Sequence, residues 1–321
     1  MDITFINVGY GDSILLRAGG CRLLIDGGTA NPAEFTGSRI ESYAWLSENG
    51  VTRLDAVIVS HIHDDHVSGL EKIIDRLDVK ELWLPYPADI FENGREARTL
   101  PGAPNNMLLF TRAFNCISRI VQSAKRKGIT LRELNAANGG RIAVGPDLSV
   151  EVLGPEPARR AEFMGLLRQA YHAATDEEAA PLLATLDRLS NDASLLLRIS
   201  DSEGSALFPG DGCPPAWRHL LASGALKSDI WKIPHHGQID SVTEEAIRGI
   251  SPRAVVTTSS SDRRYNSSNP EVYRAIRETL GTDVQFVFSD EYSYPPYFAG
   301  MEGLRAVRVT LAGGIPHVVF E

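Results

Sequence analysis

The chain has 321 residues, of which 43% are hydrophobic and 23% are charged, the proportions of an ordinary globular protein. That excludes a disordered chain, a collagen and a disulfide scaffold. A net charge of −9 gives no bulk attraction for nucleic acid, so any phosphate contact needs a local basic patch.

Three widely spaced cysteines, Cys21, Cys116 and Cys213, fit a reducing compartment better than a disulfide framework. No run reaches the length of an apolar membrane span. The opening residues alternate and carry an acid at position 2, which reads as a strand and not a signal peptide. The expectation is a cytoplasmic protein with no membrane partner. Its oligomeric state is left open.

In chain order, residues 2–8 alternate, Gly9-Tyr10-Gly11-Asp12 turns, 13–17 resume as a strand, and 21–25 run apolar into Asp26-Gly27-Gly28. Short strands joined by glycine-rich turns predict antiparallel sheet. A helix is expected over 37–49, a buried strand over 54–59, a helix over 69–77 and a strand over 79–84. Residues 85–103 read as a long loop, and long loops in compact domains often serve function. A helix is expected over 106–127, with Lys125, Arg126 and Lys127 at its C-terminus, where the macrodipole favours cations. Strands follow at 130–134, 141–144 and 148–153. Residues 159–189 predict one or two amphipathic helices, interrupted near Pro181, as an insertion between two strands. Strands at 194–199 and 205–208 lead to Gly210-Asp211-Gly212. Beyond them helix and strand alternate: helices over 214–223, 241–248 and 270–280, strands over 229–233, 253–258 and 283–288. A hairpin, 306–311 with 317–320, closes the chain.

Residues 61–66 read His-Ile-His-Asp-Asp-His directly after an apolar strand. Zinc takes neutral imidazole nitrogen and carboxylate oxygen, and its ligands must converge within a few ångströms. His61 and His63, two apart in extended chain, face one side and can share an ion. Asp65 and His66, in the turn after them, can face a second. A capped, solvated loop would need one acid and no histidines. Two more strand ends offer donors: Asp211, which could bridge two ions, and the adjacent pair His235-His236.

These motifs resemble the metallo-β-lactamase superfamily, and within it the competence metallo-hydrolase domain of the ComEC/Rec2 type and related phosphorylcholine esterases. The matching segments are F-I-N-V-G-Y-G-D-S-I-L-L at 5–16, L-L-I-D-G-G at 23–28 and S-H-I-H-D-D-H at 60–66. They continue with N-D-A-S-L-L-L at 191–197, F-P-G-D-G at 208–212, K-I-P-H-H-G at 232–237 and R-R-Y-N-S-S-N-P at 263–270. The resemblance implies an αββα sandwich of two mixed β-sheets with flanking helices. It implies one catalytic domain across residues 1–321, with a helical insertion at about 158–190.

It further implies that His61 and His63 hold one zinc, Asp65 and His66 the second, and that Asp211 bridges both. His236 would complete the second site, with His235 touching substrate oxygen. Asp26 would orient a ligand histidine from behind. The chain departs from the family at three places. No histidine precedes the strand at 194, where Asn191 or Asp192 could take its place. Tyr10 stands where the family has glutamine, and Asn269 where the competence type has histidine.

Two zinc ions, with manganese or iron as alternatives, would turn water into hydroxide near neutral pH. Asp65 could accept its proton, and His235, Tyr265 or Asn269 could bind the developing oxyanion. The chemistry suits a phosphodiester, with a carboxylic ester, thioester or lactam as alternatives. A non-catalytic metal-binding interaction module is the alternative of another class. The acidic balance favours a small or exposed phosphodiester over duplex nucleic acid.

Overall fold

The computed structural model describes residues 1–91, 96–136, 140–145 and 147–321. Residues 92–95 of the expected loop at 85–103 lie outside that set.

β1 (Asp2–Ile6), β2 (Ile14–Ala18) and β3 (Cys21–Ile25) form an antiparallel meander. α1 (Ser42–Glu48) then leads to β4 (Arg53–Ile58), which lies parallel to β3. α2 (Asp64–Val67) and α3 (Leu70–Arg76) lead to β5 (Asp78–Leu84). The long α4 (Asn105–Arg126) leads to β6 (Thr130–Glu133), and β5 and β6 continue the parallel run. A second sheet begins with β7 (Arg141–Ala143) and β8 (Ser149–Gly154). α5 (Pro157–His172) and α6 (Asp176–Ser190) interrupt it before β9 (Leu196–Asp201) and β10 (Gly204–Phe208). β11 (Ile230–Lys232), α7 (Glu244–Ile250), β12 (Ala254–Thr257), α8 (Pro270–Leu280) and β13 (Gln285–Phe288) finish it in parallel. After the small ribbon of β14 (Ser293–Tyr294) and β15 (Phe298–Ala299), β16 (Ala306–Ala312) and β17 (Ile315–Phe320) return to the first sheet beside β1.

The first sheet runs β17-β16-β1-β2-β3-β4-β5-β6 and the second β13-β12-β11-β10-β9-β8-β7. Alternation along the strands divides the core. Leu23, Ile25, Ala56 and Ile58 face Val150, Leu197, Phe208 and Val256 of the other sheet. Leu24 and Val57 point outward, into one cluster with α1, α3, α4 and the insertion helices. Leu207, Trp231 and Val255 point outward on the far side, under α7 and α8. The result is helix, sheet, sheet, helix: the expected αββα sandwich.

Three expected elements are corrected. The helix at 37–49 starts only at Ser42, after a short turn at Pro32–Glu34. The segment at 214–223 is 3-10 turns kinked at Trp217 and not an α-helix. The insertion breaks at 173–175 and not near Pro181. Thr175 there accepts from the Glu178 N–H, and Asp176, Glu177 and Glu178 crowd the first turn of α6. Cap and macrodipole together start α6 strongly enough to carry Pro181 within it, at the loss of one backbone hydrogen bond.

Candidate metal centre

The candidate ligands leave the carboxyl ends of neighbouring strands. Asp26 follows β3, residues 60–66 follow β4, Asp211 follows β10, and His235 and His236 follow β11. Open α/β sheets collect their sites at such ends. Close packing holds these loops together. A Cβ on Gly11 would lie 2.3 Å from the Asp65 carbonyl oxygen, and one on Gly69 would lie 2.0 Å from that of Gly27. Asp26, His235 and His236 take positive φ (57°, 49° and 53°), a strained conformation for non-glycine residues that concentrates at functional sites.

Each of three buried rings is held on its Nδ1 side. Asp26 accepts from His66 Nδ1 at 2.9 Å, from the Ser60 amide at 2.8 Å and from the Ser60 hydroxyl at 2.5 Å. With its proton given to Asp26, Ser60 Oγ can accept from His61 Nδ1 at 3.0 Å. The Thr258 carbonyl accepts from His236 Nδ1 at 2.8 Å. These bonds fix the tautomer and leave Nε2 of all three rings directed at one place. His63 approaches from the other side, with its Nδ1 3.1 Å from His61 Nε2.

Asp211 lies among them. Its Oδ2 is 3.2 Å from His236 Nε2, 3.4 Å from His66 Nε2 and 3.9 Å from His61 Nε2. Asp65 Oδ2 is 3.1 Å from His236 Nε2 and 3.5 Å from His66 Nε2. Two donor clusters result: His61, His63 and Asp211, and Asp65, His66, Asp211 and His236. They share Asp211.

The electrostatics follow from crowding buried acids against buried bases. Burial alone would lower the His236 pKa, but Asp211 and Asp65 outweigh it and push it up to about 9. The same contest raises His66 well above its usual value, with Asp26 helping. His61 goes the other way: burial, aided by His66, holds it well down and keeps it neutral. Burial would raise both acids, yet His66 and His236 hold Asp65 down at about 2, and His236, His66 and Lys232 hold Asp211 well below the carboxylate range.

Two residues here went unseen in the sequence. Lys232 is fully buried, with its Nζ 2.5 Å from Asp12 Oδ2, 3.1 Å from the Gly210 carbonyl and 3.5 Å from Asp211 Oδ1. Asp12 also accepts from Thr258 Oγ1 at 2.5 Å. Lys232 sits inside a strand and Asp12 inside a turn, 220 positions apart. Only the register of the two sheets brings them together.

A cavity of about 500 Å³ opens beside the clusters. Tyr10, His63, Asp65, Asp187, Asn191, Asp211, His235, Gln238 and Tyr265 are among its lining residues. His235 lies outside those two donor clusters. Its Nδ1 donates to Asp240 at 3.1 Å, and the amides of Asn191 and Gln238 lie 3.1 and 3.0 Å from its Nε2. The Tyr10 ring packs 4.3 Å from that of His236, and burial, then Asp65 and Asp211, keep its phenol protonated. Tyr265 stands at the cavity with 61% of its surface exposed, edge-on to Tyr10. Two expected residues are not gathered. Asp192 turns away to pair with Arg159, and the Asn269 side chain caps α8 by accepting from the Glu271 N–H.

The donors fit divalent cations. Nε2 of His66 and of His236 are buried and make no hydrogen bond. Orphaned buried atoms of this kind are rare without an occupant, and neutral imidazole with ionised carboxylate is the set that zinc takes.

Residues 6–147 match the model of the metallo-beta-lactamase superfamily. Over 92% of its length the chain is 22% identical to ComE operon protein 3 of Bacillus subtilis (strain 168), and the aligned part is 34% of that protein. The chain thus spans about a third of that relative's length. Igni18, a novel metallo hydrolase from the archaeon Ignicoccus hospitalis KIN4/I, superposes with a TM-score of 0.51 at 13% identity, over 96% of this chain and 98% of that one. The metallo-beta-lactamase fold protein YhfI of Bacillus subtilis does so with a TM-score of 0.49 at 13% identity, over 89% and 95%.

Proposed function

We propose that this chain, whose residues 6–147 match the metallo-beta-lactamase superfamily and whose fold is shared with a metallo hydrolase of known structure, is a hydrolase of phosphodiesters working with two zinc ions. The observation that carries this is the Asp211 carboxylate, whose single Oδ2 belongs to both donor clusters. His61, His63 and Asp211 would hold one ion, and Asp65, His66, Asp211 and His236 the other. Bound there, the pair would supply hydroxide near neutral pH and neutralise charge on a phosphoryl oxygen, the arrangement that suits an in-line displacement.

The rest is done by this chain's side chains. Lys232 and Asp12 brace Asp211 from behind, so that Oδ1 faces the lysine and Oδ2 the histidines. Asp26, Ser60 and the Thr258 carbonyl hold three imidazoles in one tautomer. Asp65 stays ionised; it would serve both as a ligand and as a weak base that accepts a hydrogen from the attacking water. His235, fixed by Asp240, holds the Asn191 and Gln238 amides at its Nε2, and their N–H groups and the protonated Tyr10 hydroxyl would be the donors for a substrate oxygen beside it. Tyr265 and Asn191 line the path to them. Arg112 and Arg264 also reach this cavity, where Asp64 and Glu34 balance them. Their charge is therefore offset, which favours a small or exposed phosphodiester over a long duplex.

Cys21, Cys116 and Cys213 are unpaired, and no helix among the described residues is long and apolar enough to cross a membrane. We place the chain in the cytoplasm on the cysteines. Zinc-loaded protein is expected to cleave bis-p-nitrophenyl phosphate, and to lose that activity with a chelator. Cleavage of nitrocefin or a thioester instead would move the substrate class. No turnover of any of them by fully loaded protein would favour a metal-binding interaction module.

A further inference from the structure

One residue facing the candidate centre comes from the helical insertion. Asp187, on α6, places its Oδ1 3.4 Å from Nε2 of His63. Its Oδ2 accepts from Asn106 Nδ2, on α4, at 2.7 Å. The atoms by which His61 and His63 converge are Nε2 and Nδ1. A histidine that offers Nδ1 to a cation keeps its proton on Nε2, and that N–H needs an acceptor to hold the ring in place. His63 Nε2 is buried and makes no hydrogen bond. Asp187 is the carboxylate brought to it.

The other three rings do not depend on the insertion. Ser60 holds His61, Asp26 holds His66, and the Thr258 carbonyl holds His236. The clusters are also unequal. One has four protein donors; the other has His61, His63 and the shared Asp211. A site with fewer donors depends more on how well each is aimed.

We propose that Asp187 is a positioning residue for the His61/His63 site: its carboxylate takes the Nε2–H of His63, keeps Nδ1 aimed at His61 and Asp211, and so makes occupancy of that site depend on the helical insertion. Asp187 can act so only if the two-metal reading holds.

The test is calorimetric titration of the metal-free full chain with zinc, repeated with cobalt to follow the visible spectrum of each site. Wild type is expected to take up two equivalents of unequal affinity. Asp187→Ala is expected to weaken the weaker equivalent about 10–100-fold, the cost of a lost outer partner, and to leave the stronger one unchanged. Asp187→Glu, which keeps the carboxylate, is expected to recover most of the loss. The melting temperature of the metal-free variants should match wild type, which separates aiming from folding. Wild-type affinities for both equivalents in Asp187→Ala overturn the proposal, as does equal weakening of both. Fewer than two equivalents in wild type itself would defeat the two-metal reading, and this inference with it.

Discussion

At the scale of single residues, the candidate centre is framed by groups that lie behind its donor atoms. Asp26 is fully buried and holds His66 and Ser60 together, and through Ser60 it reaches His61. Replacing it with asparagine keeps the shape but removes the charge that fixes the imidazole. Asp26→Asn is expected to weaken metal binding about 10–100-fold, measured by competition with a chelator. The sequence showed Asp26 as an acid before two glycines but left its partner to the family resemblance. Asp12 and Lys232 stayed hidden because a buried ion pair leaves no local pattern. A second buried knot governs stability. Burial would raise the Asp290 pKa, but the Ser261 amide, Asn7 and Arg39 together hold it below the usual value. A carboxyl lowered in the folded state adds stability above its unfolded pKa, and that gain fades as pH falls through the folded one. Asp290→Ala is therefore expected to lose about 3 kcal/mol at pH 7. Denaturant melts at successive pH values should show the gap to wild type narrowing in acid, below the ordinary aspartate range.

At the scale of elements, legibility followed contiguity. His61, His63, Asp65 and His66 lie within six positions after one strand, so their convergence could be read directly. His235 and His236 could not be told apart by position, because two successive left-handed residues send one ring towards Asp211 and the other to Asp240. The insertion misled for another reason. Pro181 is the obvious breaker, yet the Thr175 cap and its three following acids set the helix start upstream. The insertion is anchored by aromatic stacking: Phe163 lies 5.1 Å from Tyr86, and Tyr171 3.9 Å from Phe114. Phe163→Ala, at a position 1% exposed, is expected to cost about 3–5 kcal/mol. The midpoint of chemical unfolding, at unchanged slope, checks it.

At the scale of the whole molecule, the sandwich gathers what the chain scatters. β16 pairs with β1 across some 300 positions, and the loops at one edge bring residues 61 to 236 to a single point. Strand lengths and glycine turns showed an antiparallel meander, and the second half showed helix alternating with strand, but the sandwich itself came from the family resemblance. The pairing of distant strands was not legible, since register is set by contacts that no local window contains. The account predicts that zinc-reconstituted wild type, after dialysis, retains two equivalents of metal, and that Asp211→Asn, which weakens both clusters at once, retains fewer than one. Element-specific mass spectrometry on the two proteins is the direct measurement. Wild type that keeps no stoichiometric metal, or a variant that keeps both equivalents, would contradict the shared-carboxylate centre.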